Sequence, residues 1–116
     1  MAFLRQAEAL TLWHRAALMQ VRGDDPDLTV RQTAILLTIY LDPPPHTVRG
    51  LAEHLGVTKP VITRALDTMG QMGLVKRRRD ERDRRNVLIQ RTVEGSEYLE
   101  RLSHLIMEQA NSGSPL

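Results

Sequence analysis

The sequence contains no cysteine, which excludes disulfides, zinc ribbons, iron–sulfur ligation and any thiol switch among its 116 residues. That fits a reducing cytoplasm. A long uncharged apolar run is missing too. The first twenty residues interleave Arg5, Glu8 and Arg15 with apolar positions, unlike a signal peptide, and the most apolar stretch, Ala34 to Leu41, is interrupted by Thr38 and too short to span a bilayer. No membrane partner is expected. The sequence also lacks internal repeats, low-complexity tracts, a phosphate-binding loop and any nucleophile–base pair with a supporting motif. An enzyme is therefore not expected, nor a cofactor.

What is present suits one small domain with short appendages: 41% of residues are hydrophobic and 26% charged. A core of this size invites completion by a partner subunit. The net charge is only +2, but it is unevenly spread. From Lys59 to Arg91 ten basic residues face four acids, Asp67, Asp80, Glu81 and Asp83, a surplus of six; the remainder carries six arginines against ten acids. A basic segment on an acidic body is the electrostatic footprint of a nucleic-acid binder, and a membrane-surface patch or a protein that docks an acidic partner would look similar.

Apolar residues at Phe3, Leu4, Ala7, Leu10, Trp13, Ala17, Leu18 and Val21 predict a helix over residues 3–22, ended by Gly23. Leu12, Ala16 and Met19 widen its apolar arc, which predicts contact with a second subunit as well as with its own core. Trp13 and Phe3 are expected to be core or interface residues. Thr29 and Gln32 form a capping box that starts a second helix, with Val30, Ala34, Leu37 and Leu41 expected to face the core beside Ile35 and Leu36. Pro43, Pro44 and Pro45 stop it. Thr47 caps a short third helix, Val48 to Leu55, and Gly56 makes a tight turn. Thr58 is expected to cap a fourth helix, 58–70, with Pro60 in its first turn, Ile62, Leu66 and Met69 buried, and Lys59, Thr63, Arg64 and Asp67 left outside. Two short β-branched segments around Asp80 to Arg85 predict a hairpin over 75–91 with a long mobile tip. Thr92 opens a last helix with Tyr98, Leu99, Leu102, Leu105 and Ile106 on one face, and residues 111–116 form a polar tail. Glu100 and His104 have the spacing of a metal face but no third ligand, so an ordinary exposed helix face is expected. His14, His46 and His54 have no motif context.

Helix, short helix, tight turn, helix and basic hairpin is the order of a winged helix-turn-helix, mainly α with a small β-hairpin wing. The ordered set resembles the MarR (multiple-antibiotic-resistance regulator) family. It consists of Leu28-Thr29 with Gln32, Leu51 through Arg64, Gly73 to Arg77, Asp80 to Arg85, and Thr92 with Gly95. The resemblance implies a homodimeric repressor or activator that binds double-stranded DNA at a pseudo-palindromic operator and responds to a small-molecule effector. It implies a dimerisation helix at 1–22, the winged domain at 28–92, and a C-terminal dimerisation helix at 93–110. Members usually carry two helices after the wing; only one fits here.

Matched residue by residue, Thr58, Lys59, Pro60, Val61, Thr63 and Arg64 fall on the family's recognition-helix positions, for the major groove. Val61 stands where a small hydroxyl residue is usual; it is expected to be exposed, where a valine cannot hydrogen-bond a base but can pack on a thymine methyl. Arg82, Asp83, Arg84 and Arg85 match the wing, with Arg84 expected in the minor groove, Arg82 and Arg85 nearer phosphates, and Asp83 bracing the loop by ion pairing. The alternative reading of the same fold is an interaction module that docks a protein and never touches DNA.

Overall fold

The computed structural model describes residues 4–111, so Phe3 and residues 112–116 of the expected tail lie outside the described part. The elements in chain order are α1 (Gln6–Arg22), α2 (Val30–Leu41), β1 (His46–Thr47), α3 (Val48–Leu55), α4 (Lys59–Gln71), β2 (Val75–Arg79), β3 (Val87–Arg91) and α5 (Val93–Ala110). They group into two compact units, Leu28–Glu97 and the residues on either side of it. The mostly helical chain with a small antiparallel sheet is a winged helix.

In the unit Leu28–Glu97, α2 begins at the expected capping box. The Thr29 hydroxyl accepts from Gln32 N at 3.0 Å, and the Gln32 side chain accepts from Thr29 N at 2.9 Å. Its core face is phased differently from the sequence reading. Ile35, Leu36 and Ile39 are buried, whereas Val30 and Leu41 are 83% and 76% exposed. Nearly every position in this helix is apolar, so periodicity alone cannot choose the buried stripe. With Leu51 of α3 and Ile62, Leu66 and Met69 of α4, these side chains make the fully buried core. Each contributes about 1.5–3 kcal/mol by leaving water, enough to fix three short helices against one another.

Gly56 lies at φ 68°, in the left-handed region that favours glycine. Its amide donates to Glu53 O and that of Val57 to Ala52 O, closing α3 in a Schellman motif. The same pattern closes α4, where Gly73 (φ 77°) donates to Gly70 O and Leu74 to Met69 O. These two stops set the turn into α4 and the turn out of it into the wing.

The sheet has the order β1-β3-β2, both pairings antiparallel. Strand β1, pairing His46 with Ile89 and Thr47 with Leu88, was not anticipated from sequence. His46 is buried, its Nε2 3.1 Å from Asp42 O at the end of α2. Arg91 completes that end: its guanidinium donates to Ile39 O (3.0 Å) and Asp42 O (3.2 Å) and lies over the Tyr40 ring. A cation there satisfies orphan carbonyls and opposes the negative end of the helix dipole.

The two ends of the hairpin are tied by Tyr40. Its hydroxyl accepts from Thr92 N (3.0 Å) and lies 2.9 Å from Leu74 O and 3.2 Å from Thr92 O, either of which can take its proton. The Thr92 hydroxyl donates to Gly73 O (2.6 Å) and accepts from Gly95 N, capping α5. A Cβ on Gly95 would run into the Tyr40 hydroxyl and the Leu74 carbonyl oxygen.

In the other unit, Ala16 of α1 and Tyr98 of α5 are buried, and Leu12, Leu18, Leu99, Leu102, Leu105 and Ile106 are half-buried. Arg101 forms a two-pronged ion pair with Asp25, the shortest contact being 2.8 Å. Along α1, Leu10, Trp13 and Val21 are 63%, 67% and 71% exposed. Gly23 ends α1 in an extended conformation, not a left-handed one. Among the described residues no helix is long and apolar enough to cross a membrane.

Candidate nucleic-acid interface

Helix α4 buries Ile62, Ala65, Leu66 and Met69, and three-and-four spacing puts Lys59, Thr63, Arg64 and Asp67 on the opposite, exposed side. Thr58 and Pro60 are exposed at its start. Two expectations need correction. Thr58 occupies the N-cap position, but its side chain makes no capping hydrogen bond. Val61 is half-buried, because its place in the first turn leans it toward the core-facing stripe, so only part of its side chain is available for apolar contact.

The threonines single out the same surface. Of nine in the chain, seven spend their hydroxyls on hydrogen bonds within the protein; Thr58 and Thr63 make none with any described residue. Both are on the exposed side of α4, where an unspent hydroxyl can meet a base edge or a phosphate.

The basic surplus divides by role. Arg91 closes α2, as described. Arg77 pairs with Asp67 (Nη2 to Oδ1, 2.7 Å), and Arg85 pairs with Asp83 (Nε to Oδ1, 3.0 Å). That leaves Lys59, Arg64, Lys76, Arg78, Arg79, Arg82 and Arg84, all exposed and none in an ion pair among the described residues. Exposed ion pairs contribute only about 0–1 kcal/mol, so seven unpaired cations on one helix and the adjoining hairpin have no explanation in stability.

The wing tip is a built turn. Asp80 Oδ1 accepts from Arg82 N (2.9 Å), Asp83 Oδ1 accepts from Arg85 N (3.1 Å), and the Arg85 guanidinium grips both Asp83 oxygens. Backbone bonds from Asp80 N to Asn86 O and from Asn86 N to Asp83 O close it. The tip expected to be mobile is thus cross-linked by its own aspartates, as Asx turns allow. The Arg85 side chain holds the Asp83 carboxyl below the usual carboxylate range; the Arg85 amide assists, and Arg49 of α3 adds a smaller attraction. Arg85 is committed to Asp83, which leaves Arg82 and Arg84 as the tip's unpaired guanidiniums.

Sequence reasoning missed the Asp67–Arg77 pair, the Arg91 cap and the Tyr40 hub. The last two join residues about fifty positions apart, and no local pattern announces them. Glu100 and His104 are 3.9 Å apart, and among the described residues no group of three or more His, Cys, Asp or Glu is placed to hold a metal ion.

Comparison with known proteins agrees with this geometry. No curated protein matches. Among solved structures, reduced AbfR bound to DNA is 26% identical, with a TM-score of 0.64 over 94% of this chain and 72% of that one. The transcriptional repressor CouR, bound to a 23-mer DNA duplex, is 24% identical, with a TM-score of 0.69 over 91% and 69%. The MepR–DNA complex of S. aureus is 20% identical, with a TM-score of 0.77 over 92% and 85%. The latter two likenesses concern the fold alone. A model of the MarR family matches residues 28–87, more than half of the sequence, and on that match the chain belongs to the MarR family.

Proposed function

We infer that this protein is a sequence-specific, double-stranded-DNA-binding transcriptional regulator, with α4 in the major groove and the β2–β3 wing at the minor groove. The observation that carries the reading is the coincidence, on one helix and the adjoining hairpin, of two unspent threonine hydroxyls and seven unpaired cations. A helix about 10–12 Å across fits a major groove about 12 Å wide. Thr58, Lys59, Pro60, Val61, Thr63 and Arg64 read or border base edges, Arg84 enters the minor groove, Arg82 meets phosphates, and Asp83 with Arg85 shapes the tip. This shifts Arg85 from phosphate contact to support. AbfR, solved with DNA, supports the reading.

The protein acts as a homodimer on a pseudo-palindromic operator in the cytoplasm. Exposed Leu10, Trp13 and Val21 supply the apolar surface that a second copy would cover. It is a regulator and not an enzyme.

The test is a salt-titrated binding assay with operator and mixed-sequence duplexes. Replacing Lys59 and Arg64 together by alanine abolishes discrimination between them. Arg84→Ala weakens binding to both and lowers the salt slope by about one phosphate contact. Unchanged binding by both variants refutes the residue assignment, and no duplex binding by the wild type in low salt favours the protein-docking alternative.

A further inference from the structure

Asp67 is the one acid on α4, and it lies on the exposed side with Thr63 and Arg64. An acid facing a polyanion is unfavourable unless neutralised, and Arg77 of β2 neutralises it at 2.7 Å. We propose that the Asp67–Arg77 pair is the positioning element that sets the angle between recognition helix and wing, and that it trades sequence-independent affinity for discrimination. The proposal rests on the DNA-binding reading above and deepens it.

The lever arm follows from the hairpin. In β2 Val75 is buried and Lys76 through Arg79 are exposed, whereas on β3 Ile89, opposite Arg77, is still a core residue and Leu88 and Val87 beyond it are half-buried, so the hairpin leaves the core beyond the Arg77–Ile89 position. Arg77 sits at the base of the projecting part, in register opposite Ile89 of the central strand, so a force on its side chain is carried by both strands. Period-two alternation turns Val75, Arg77 and Arg79 to one face, the face that meets α4, and Lys76 and Arg78 to the other. Arg82 lies five residues further on, up to about 16 Å away at roughly 3.3 Å per extended residue. A pivot of about 20° around Arg77 would swing the tip by roughly 5 Å, comparable to a minor groove about 6 Å wide. Holding the pivot therefore decides whether helix and wing reach their grooves in one register.

The charge effect is separable from the geometric one. While paired, Asp67 cancels one guanidinium that would otherwise attract any duplex. Removing Asp67 frees that charge; removing Arg77 leaves an unpaired acid on the binding surface. Both changes release the pivot, but they move sequence-independent attraction in opposite directions, which a purely structural role would not do.

The experiment compares wild type, Asp67→Ala, Arg77→Ala and the reversed pair Asp67→Arg with Arg77→Asp. Two probes are used, a duplex enriched by the wild type from a random library and a mixed-sequence duplex of equal length. Far-UV circular dichroism confirms the fold of each variant. Both single variants are expected to lose about fivefold in discrimination, the upper range for an exposed ion pair. Between 50 and 200 mM salt, Asp67→Ala should lose affinity for mixed sequence about 3.5-fold more than wild type, one added phosphate contact at a slope of about 0.9. Arg77→Ala should bind mixed sequence more weakly than wild type, and the reversed pair should recover discrimination. Undiminished discrimination in the singles, mixed-sequence affinity shifted in the same direction by both, or no recovery in the reversed pair overturns the proposal. Wild-type protein that binds neither duplex overturns the DNA reading itself, and the proposal with it.

Discussion

Gly95 lies in the first turn of α5, where an ordinary glycine-to-alanine change stabilises a helix by about 1 kcal/mol. Here the opposite is expected. The added methyl would occupy the space of the Tyr40 hydroxyl and press on the Leu74 carbonyl, so either α5 shifts or Tyr40 leaves its place. Overpacking of this kind costs about 1–3 kcal/mol. Displacing Tyr40 also loses its bonds to Thr92 N and Leu74 O, at about 1 kcal/mol each. Against the propensity gain, the net is a loss of about 2–4 kcal/mol. For a unit of this size that lowers Tm by at least about 8 °C, measurable by far-UV circular dichroism. Tyr40→Phe removes the oxygen that collides, so Gly95→Ala should cost at least about 0.5 kcal/mol less in that background, the coupling expected of residues in contact. A Gly95→Ala protein as stable as wild type, or additive effects of the two changes, would refute the packing described for this corner.

Three further outcomes follow from the same structure. Because the folded-state value of Asp83 is depressed by Arg85, its contribution to wing order is present above the unfolded value of about 3.9 and lost as pH falls through the lower folded one. An NMR titration of the Asp83 carboxyl should give a midpoint below about 3.9 that Arg85→Ala raises. Burial, and to a lesser extent Asp25, holds the Tyr98 phenol above its ordinary value, with Gln20 opposing. Its stabilisation is thus complete below about pH 10 and lost as pH rises through the folded value; Tyr98→Phe should flatten the alkaline limb of a stability–pH curve. Trp13 fluorescence should shift to the blue as protein concentration rises and a second copy covers α1, and Trp13→Glu should yield a monomer with weakened duplex binding.

The parts of the molecule legible in the sequence are those with short-range causes. The capping box at Thr29 and Gln32, the stop at Gly56 and the buried repeat of Ile62, Leu66 and Met69 each rest on residues a few positions apart, and the structure forms them all. Strand β1 was hidden because two residues carry no alternation, and its partner Ile89 is over forty positions away. The buried face of α2 was misread at its ends, where Val30 and Leu41 look like core residues in composition but sit beyond the neighbours that would cover them. At the site, the basic hairpin was visible as charge, but the division into structural and available cations was not. Whether Arg77 meets Asp67, or Arg91 meets Ile39, depends on strand register and helix packing, which no run of charges reveals.

The central claim is that α4 and the wing grip duplex DNA together, and that two copies do so at once. Selection of bound sequences from a random duplex library by the full chain tests it most directly. The account predicts enrichment of two inverted half-sites about one helical turn apart, roughly 34–36 Å centre to centre. A selected pool no different from the starting library, or one carrying a single unpaired half-site, would contradict it.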